Sequence, residues 1–135
     1  MRQRTLVLTF MMLYSASLFC SDYMTTGFSA DHGAGWTNWQ SSNVCITLDY
    51  VNFTVEVHSK QHDLFKILRV YPGLDRFATS TSHYYALDKK KLHCNLDIVY
   101  FIDGLIILTV QYGDYSYKYK MYRMNLKMSE ESKKG

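Results

Sequence analysis

From Cys94 to Lys120 apolar and polar side chains alternate, and the alternation is broken twice where a glycine stands beside an aspartate. Cys94, Leu96, Ile98, Tyr100 and Ile102 fall on one side, with Asn95 and Asp97 between the first of them. A period of two marks a strand with one face turned to a core, whereas the apolar stripe of a helix recurs every 3.6 residues. Asp103-Gly104 is a favoured two-residue hairpin turn, because both positions accept positive φ at small cost. Leu105 to Tyr112 returns as a second strand and Gly113-Asp114 turns it again. Tyr115, Tyr117 and Tyr119, alternating with Ser116, Lys118 and Lys120, then form a third strand. Past Met121 the apolar positions shift to Tyr122, Met124 and Leu126, which predicts a bulge. No apolar run here approaches the ~20 residues of a membrane-crossing helix. The expectation is an antiparallel meander with no membrane span in the mature chain.

Similar signals lie upstream. Val51, Phe53, Val55 and Val57 alternate with Asn52, Thr54, Glu56 and His58, and the preceding Val44 to Tyr50 has its apolar set in the other phase. A turn or bulge is therefore expected near Asp49 and Tyr50. Between His58 and Gly73 the pattern changes. Leu64, Ile67, Leu68 and Tyr71 share one face of a short helix capped by Asp63 and ended by Pro72-Gly73, although Phe65, Ile67 and Val70 are also good strand formers. The segment Thr79 to Lys91 reads as a loop with a short strand at Tyr84 to Leu87. Residues 21–42, rich in Gly, Ser, Thr and Asn, read as an irregular lead-in whose Trp36 and Trp39 pack on the domain and are candidates to frame a pocket mouth. The fold class expected is mainly β: an antiparallel β-sandwich or flattened β-barrel over residues 43–127, with a C-terminal meander, one short helix and one disulfide. The polar tail at 128–135 is expected to be disordered.

The N-terminus decides which chain has to fold. Arg2 and Arg4, the apolar run Leu6 to Leu13, and then Ser15, Ala16 and Ser17 have the three-part layout of a secretory signal peptide, assigned to residues 1–20. Removing it takes two arginines and no acid from the 15 basic and 12 acidic side chains, leaving a balance of +1. No basic arm or stripe remains to bind nucleic acid. Cleavage after Cys20 leaves Cys45 and Cys94, an even number in an oxidising compartment, so a Cys45–Cys94 bridge is expected. Closing a loop of about fifty residues would stabilise by roughly 3 to 4 kcal/mol. Asn52-Phe53-Thr54 fits the N-glycosylation acceptor pattern, which makes Asn52 the candidate glycosylation site of a secreted chain.

Catalytic chemistry finds no support in the sequence. It contains no nucleophile elbow, phosphate loop, dinucleotide fingerprint or kinase signature. His58 and His62 are four apart, but the glutamate of a His-Glu-x-x-His motif is missing and no third ligand is placed by spacing, so neither a metal nor another cofactor is expected. The compositional oddity is tyrosine, 12 in all. Tyrosine offers a large apolar face and a hydroxyl at small entropic cost, which suits recognition. Tyr115, Tyr117 and Tyr119 with the interleaved Lys118, together with Trp36 and Trp39, are the candidate binding residues.

An immunoglobulin domain is not matched: Leu92 stands where its tyrosine precedes the second cysteine, and both tryptophans precede Cys45. The stretch Phe101 to Met124 resembles the closing hairpins of the fatty-acid-binding proteins, in the calycin group of lipid-binding barrels, with Asp103-Gly104 and Gly113 at the turns. That resemblance covers about a fifth of the chain and implies a cavity for a small hydrophobic ligand. The function expected is a secreted, non-enzymatic binding protein that recognises an extracellular protein or receptor through a Tyr-rich sheet face. The alternative is a secreted calycin-like carrier of a small hydrophobic ligand.

Overall fold

The computed structural model describes residues 20–76 and 79–124; the signal-like segment ahead of Cys20 and the tail at 128–135 lie outside the described residues. The strands are β1 (Cys20–Asp31), β2 (Gln40–Ser41), β3 (Cys45–Asp49), β4 (Thr54–His58), β5 (Asp63–Arg76), β6 (Thr79–Leu87), β7 (His93–Phe101), β8 (Ile106–Gln111) and β9 (Ser116–Arg123). From β3 onward each strand pairs antiparallel with the next, and β9 returns to pair with β1. The sheet thus closes into a barrel of eight walls. The short β2 extends the edge of β3 along β1, pairing Gly27 with Ser41 where β3 pairs Met24 with Cys45. Closure answers the choice between sandwich and barrel. At eight strands the interior is just wide enough to be filled by side chains or to hold one small ligand.

Alternation directs the filling. Ile46, Phe65, Leu96, Ile98, Leu108, Val110 and Met121 point inward and are sealed from solvent, with Leu48, Val55, Val57, Ala86 and Cys94 completing the layer. Each such aliphatic or aromatic side chain contributes roughly 1.5–3 kcal/mol by burial. Outward positions on the same strands carry Thr47, Glu56, Lys66, Asp97 and Lys118.

Four expectations are corrected. The helix at Leu64 to Tyr71 is absent, and its residues form β5, which pairs with β4 through Phe65 and with β6 through Ile67. Register shifts between Ile67 and Arg69 and between Tyr71 and Leu74 insert extra residues. The apolar set read as a helix face does not point to the core: Leu64, Leu68 and Tyr71 are exposed, while Phe65 is sealed and Ile67 packs against the core. Pro72-Gly73 lies inside the second irregularity and does not end the element; a Cβ on Gly73 would stand 2.8 Å from the Thr81 carbonyl oxygen, so only glycine fits there. The lead-in at 21–42 begins as β1, whose bulge between Thr25 and Gly27 lets both Tyr23 and Phe28 face inward. The strand expected only at Tyr84 to Leu87 starts already at Thr79 and forms β6, paired residue for residue with β7, while Asp88 to Lys91 remains a turn.

The disulfide is the fourth correction, since Cys45 and Cys94 are both free thiols. β3 and β7 are diametrically opposed in the ring, with β4, β5 and β6 between them one way and β1, β9 and β8 the other. Cys45 pairs with the exposed His58 on the outer face, whereas Cys94 pairs with the buried Ala86 inside. Bridging needs Cα atoms within ~7 Å and facing side chains, which opposite walls do not provide.

Hairpin turns follow the expected places with one adjustment. Phe101 and Leu105 close the β7–β8 turn through Phe101 N to Leu105 O at 2.9 Å, so its loop holds three residues, Ile102, Asp103 and Gly104. Gly104 takes φ 94°, the left-handed residue such a loop needs. The bulge expected past Met121 is not found: Tyr122 pairs with Met24 and Arg123 with Tyr23 in unbroken register, and the irregularity lies instead on β1, between Thr25 and Gly27.

Candidate functional site

The barrel core stops short of one end. There β4, β6 and β8 finish, β5, β7 and β9 begin, and an open cavity of about 680 Å3 penetrates the interior. Phe28 and Ala30 of β1, Tyr117 and Tyr119 of β9, and Tyr112 and Tyr115 of the β8–β9 turn form one wall. Ser59, Gln61 and His62 of the β4–β5 turn, Asp63 at the start of β5, and Asp88, Lys89, Lys90 and Leu92 of the β6–β7 turn form the other.

Register explains the aromatic wall. Tyr117 pairs with Val110 and Tyr119 with Leu108, both enclosed, so the tyrosines share the inward face of the sheet. Their rings make a continuous ladder. Tyr112 stacks on Tyr115 with centroids 4.7 Å apart, Tyr115 follows Tyr117 at 6.4 Å, and Tyr117 meets Tyr119 edge-on at 5.8 Å. Phe28 closes the ladder at 5.3 Å from Tyr119, and His32 stacks on Tyr115 at 5.7 Å. Burial, first of all, pushes the hydroxyl pKa values of Tyr112, Tyr115, Tyr117 and Tyr119 above the ordinary tyrosine value, and the negative charge of Asp63 adds to the last three. These phenols stay neutral through the physiological range.

Asp88 organises the opposite side. It is 8% exposed. Its Oδ1 accepts from Lys90 N at 2.9 Å and Leu92 N at 2.8 Å, which holds the β6–β7 turn, and Oδ2 accepts from the Tyr112 hydroxyl at 2.8 Å. That last bond ties the β8–β9 turn to the β6–β7 turn across the cavity rim. Asp63, at the start of β5, accepts at Oδ1 from Leu64 N at 2.9 Å and Lys89 N at 3.4 Å. The described residues give its Oδ2 no hydrogen bond.

Candidate binding residues therefore separate onto two faces of β9. Tyr115, Tyr117 and Tyr119 line the cavity. Lys118 and Lys120 point outward, where Lys118 Nζ lies 4.2 Å from the Trp36 ring and 5.1 Å from Trp39, and Lys120 Nζ lies 4.6 Å from Trp39. The tryptophan loop is folded over the outside of β1. Asp31 Oδ1 accepts from Gly33 N and Gly35 N, Ser29 Oγ donates to Thr37 O at 2.6 Å, and Trp39 packs on Gly27, where an added Cβ would meet the ring at 3.2 Å. Trp36 and Trp39 remain 43% and 39% exposed and frame no part of the cavity mouth. Asn52 is exposed on the β3–β4 turn, at the far end of the barrel, and its Nδ2 donates to Asp49 Oδ2 at 2.8 Å.

The histidine pair gains a partner that spacing did not supply. Glu56, two residues before His58 on β4, shares its outward face, and the turn after β4 folds His62 back so that one ligand atom of each lies within 4.8 Å of the others. His62 Nε2 bonds to Glu56 Oε2, and His58 Nδ1 lies 3.7 Å from the same oxygen. Two imidazoles and a carboxylate are a zinc-type donor set. However, Lys89 Nζ lies 3.5 Å from His62 Nδ1 and places a cation beside it. Glu56 and His58 on the polar side of the expected strand were the available signal; the sequence did not show that the turn after β4 brings His62 back to them.

No family model, curated protein or solved structure was found to match this chain.

Proposed function

We propose that this chain is a secreted carrier that holds one small, largely apolar ligand inside its barrel. The observation that carries this reading is the inward direction of the tyrosine ladder. Aromatic side chains that could have served an outer contact face instead line a 680 Å3 cavity, within the 300–1,000 Å3 range of small-molecule sites. An eight-walled barrel with a sealed core at its middle and rings at its mouth offers burial of a ligand without further rearrangement. Secretion rests on the charged, apolar and small-residue succession before Cys20. Among the described residues of the site no serine, threonine or cysteine is hydrogen-bonded to a base, and the one hydroxyl that meets a carboxylate, Tyr112 on Asp88, ties two turns together, so we read the role as binding without turnover. A protein partner would have to use the outer Trp36, Trp39 and Lys118 surface, where both rings already bind lysine.

The test is fluorescence titration with N-phenyl-1-naphthylamine, uncharged at pH 7. Saturable one-to-one enhancement is expected, lost in Ala30→Trp, which fills the cavity from β1. No saturable binding, or binding abolished by Trp36→Ala and untouched by Ala30→Trp, would overturn the carrier reading.

A further inference from the structure

We propose that the cavity selects an organic cation, an amine borne on an aromatic or aliphatic body, through the aromatic wall of β1 and β9 and the carboxylates of Asp63 and Asp88. This inference rests on the carrier reading and names its ligand class.

The geometry sets two complementary surfaces across one space. β9 and β5 are four walls apart in a ring of eight, so Asp63 stands across the barrel from Tyr117 and Tyr119. Asp88 directly follows β6, the wall next to β5. A ring carries negative potential on its face, and a cation within ~6 Å of the centroid is attracted to it, more strongly when water is displaced. Five rings in sequence, Phe28, Tyr119, Tyr117, Tyr115 and Tyr112, give such a cation a surface to lie on and give an apolar body area to bury. Asp63 Oδ2 remains open to accept an ammonium hydrogen, because Oδ1 takes the backbone bonds.

Lys89 and Lys90 also border the cavity, and they decide whether an anion is the better guest. Both are exposed on the rim, and the Lys89 ammonium is turned toward His62. Exposed charges act through water, whereas the nearly enclosed Asp88 acts through protein, where a charge is felt several times more strongly. After burial, Asp63 is the next cause raising the Tyr117 and Tyr119 hydroxyls. Both carboxylates line the same space as the ring wall, while the two lysines stand exposed on its rim. An inorganic cation alone would leave the ring wall unused and the space unfilled, which is why the amine needs a body.

The experiment is calorimetric titration of the full chain at pH 7 with three ligands of one shape: tryptamine (cation), 3-ethylindole (neutral) and indole-3-propionate (anion). Tryptamine is expected to bind at least about tenfold more tightly than indole-3-propionate, with 3-ethylindole between them. Asp63→Asn is expected to weaken tryptamine about tenfold and leave 3-ethylindole unchanged, the second ligand also reporting that the variant is folded. An anion bound as tightly as the cation, or tryptamine affinity unmoved by Asp63→Asn, would overturn the inference while 3-ethylindole binding upheld the carrier. Failure of all three ligands together with N-phenyl-1-naphthylamine would remove the carrier reading and this inference with it.

Discussion

Cys94 offers a quantitative check on the interior. Its side chain is 2% exposed, on the inner face of β7, and its Sγ lies 3.7 Å from the Ala86 carbonyl oxygen. Burial, and then the charges of Asp88 and Asp63, push the thiol up from 9.0 to about 12. Three pKa units lower the thiolate fraction about a thousandfold at any pH below 9, and thiolate is the species that reacts with alkylating agents. The same shift sets the sign of a stability effect. The folded state holds this proton more tightly than the unfolded chain, so the group costs nothing below pH 9 and destabilises progressively as pH climbs from 9 toward 12. Its upper limit is about 4 kcal/mol, three units at ~1.36 kcal/mol each. Iodoacetamide labelling of the native, unreduced protein at pH 8, read peptide by peptide in a mass spectrometer, is the assay. The Cys94 peptide is expected to react at least about a hundredfold more slowly than the same peptide from protein unfolded in guanidinium. Labelling within tenfold of the unfolded rate, or a Cys94 peptide disulfide-linked to Cys45, would refute the closed barrel with opposed cysteines.

Other outcomes follow from the same structure. Phe65→Ala, at a sealed position linking β4 to β5, is expected to cost about 3–5 kcal/mol in urea unfolding, with an unchanged value arguing that the barrel centre is loosely filled. Tyr112→Phe removes the hydroxyl bonded to Asp88 and is expected to cost about 1.5–3 kcal/mol, measured by thermal unfolding. Gly27→Val pushes against Trp39 and is expected to shift tryptophan fluorescence while leaving cavity binding of N-phenyl-1-naphthylamine in place. Secretion from cultured eukaryotic cells is expected to yield a product whose mass falls on glycosidase treatment, and not after Asn52→Gln.

Much of the fold was legible where strands are regular. The β7–β8–β9 meander appears where alternation and glycine turns placed it, because no bulge interrupts those ladders. β1 was misread because its bulge between Thr25 and Gly27 breaks the period of two. β5 was misread because Leu64, Leu68 and Tyr71 are apolar at exposed positions, so residues outside the core supplied the spacing of a helix stripe. The Cys45–Cys94 bridge followed from counting cysteines, but pairing depends on which walls and faces they occupy, and only ring closure fixes that. At the site, the alternation of Tyr115, Tyr117 and Tyr119 with Lys118 and Lys120 was plain, while the direction each set faces was not. Closure turns the aromatic set toward the shared interior. Asp63 was read as a helix cap and Asp88 carried no motif; they meet the tyrosines only because segments at one end of a barrel converge in space though they are far apart in the chain.

Backbone amide shifts of the 15N-labelled protein, followed by nuclear magnetic resonance during titration with N-phenyl-1-naphthylamine, test most directly that ligand enters between the tyrosine wall and the turns opposite. Saturable shifts at Phe28, Ala30, Asp63, Asp88, Tyr117 and Tyr119, with Trp36 and Trp39 undisturbed, are the expected result. Shifts confined to Trp36, Trp39, Lys118 and Lys120 on the outer surface would contradict it.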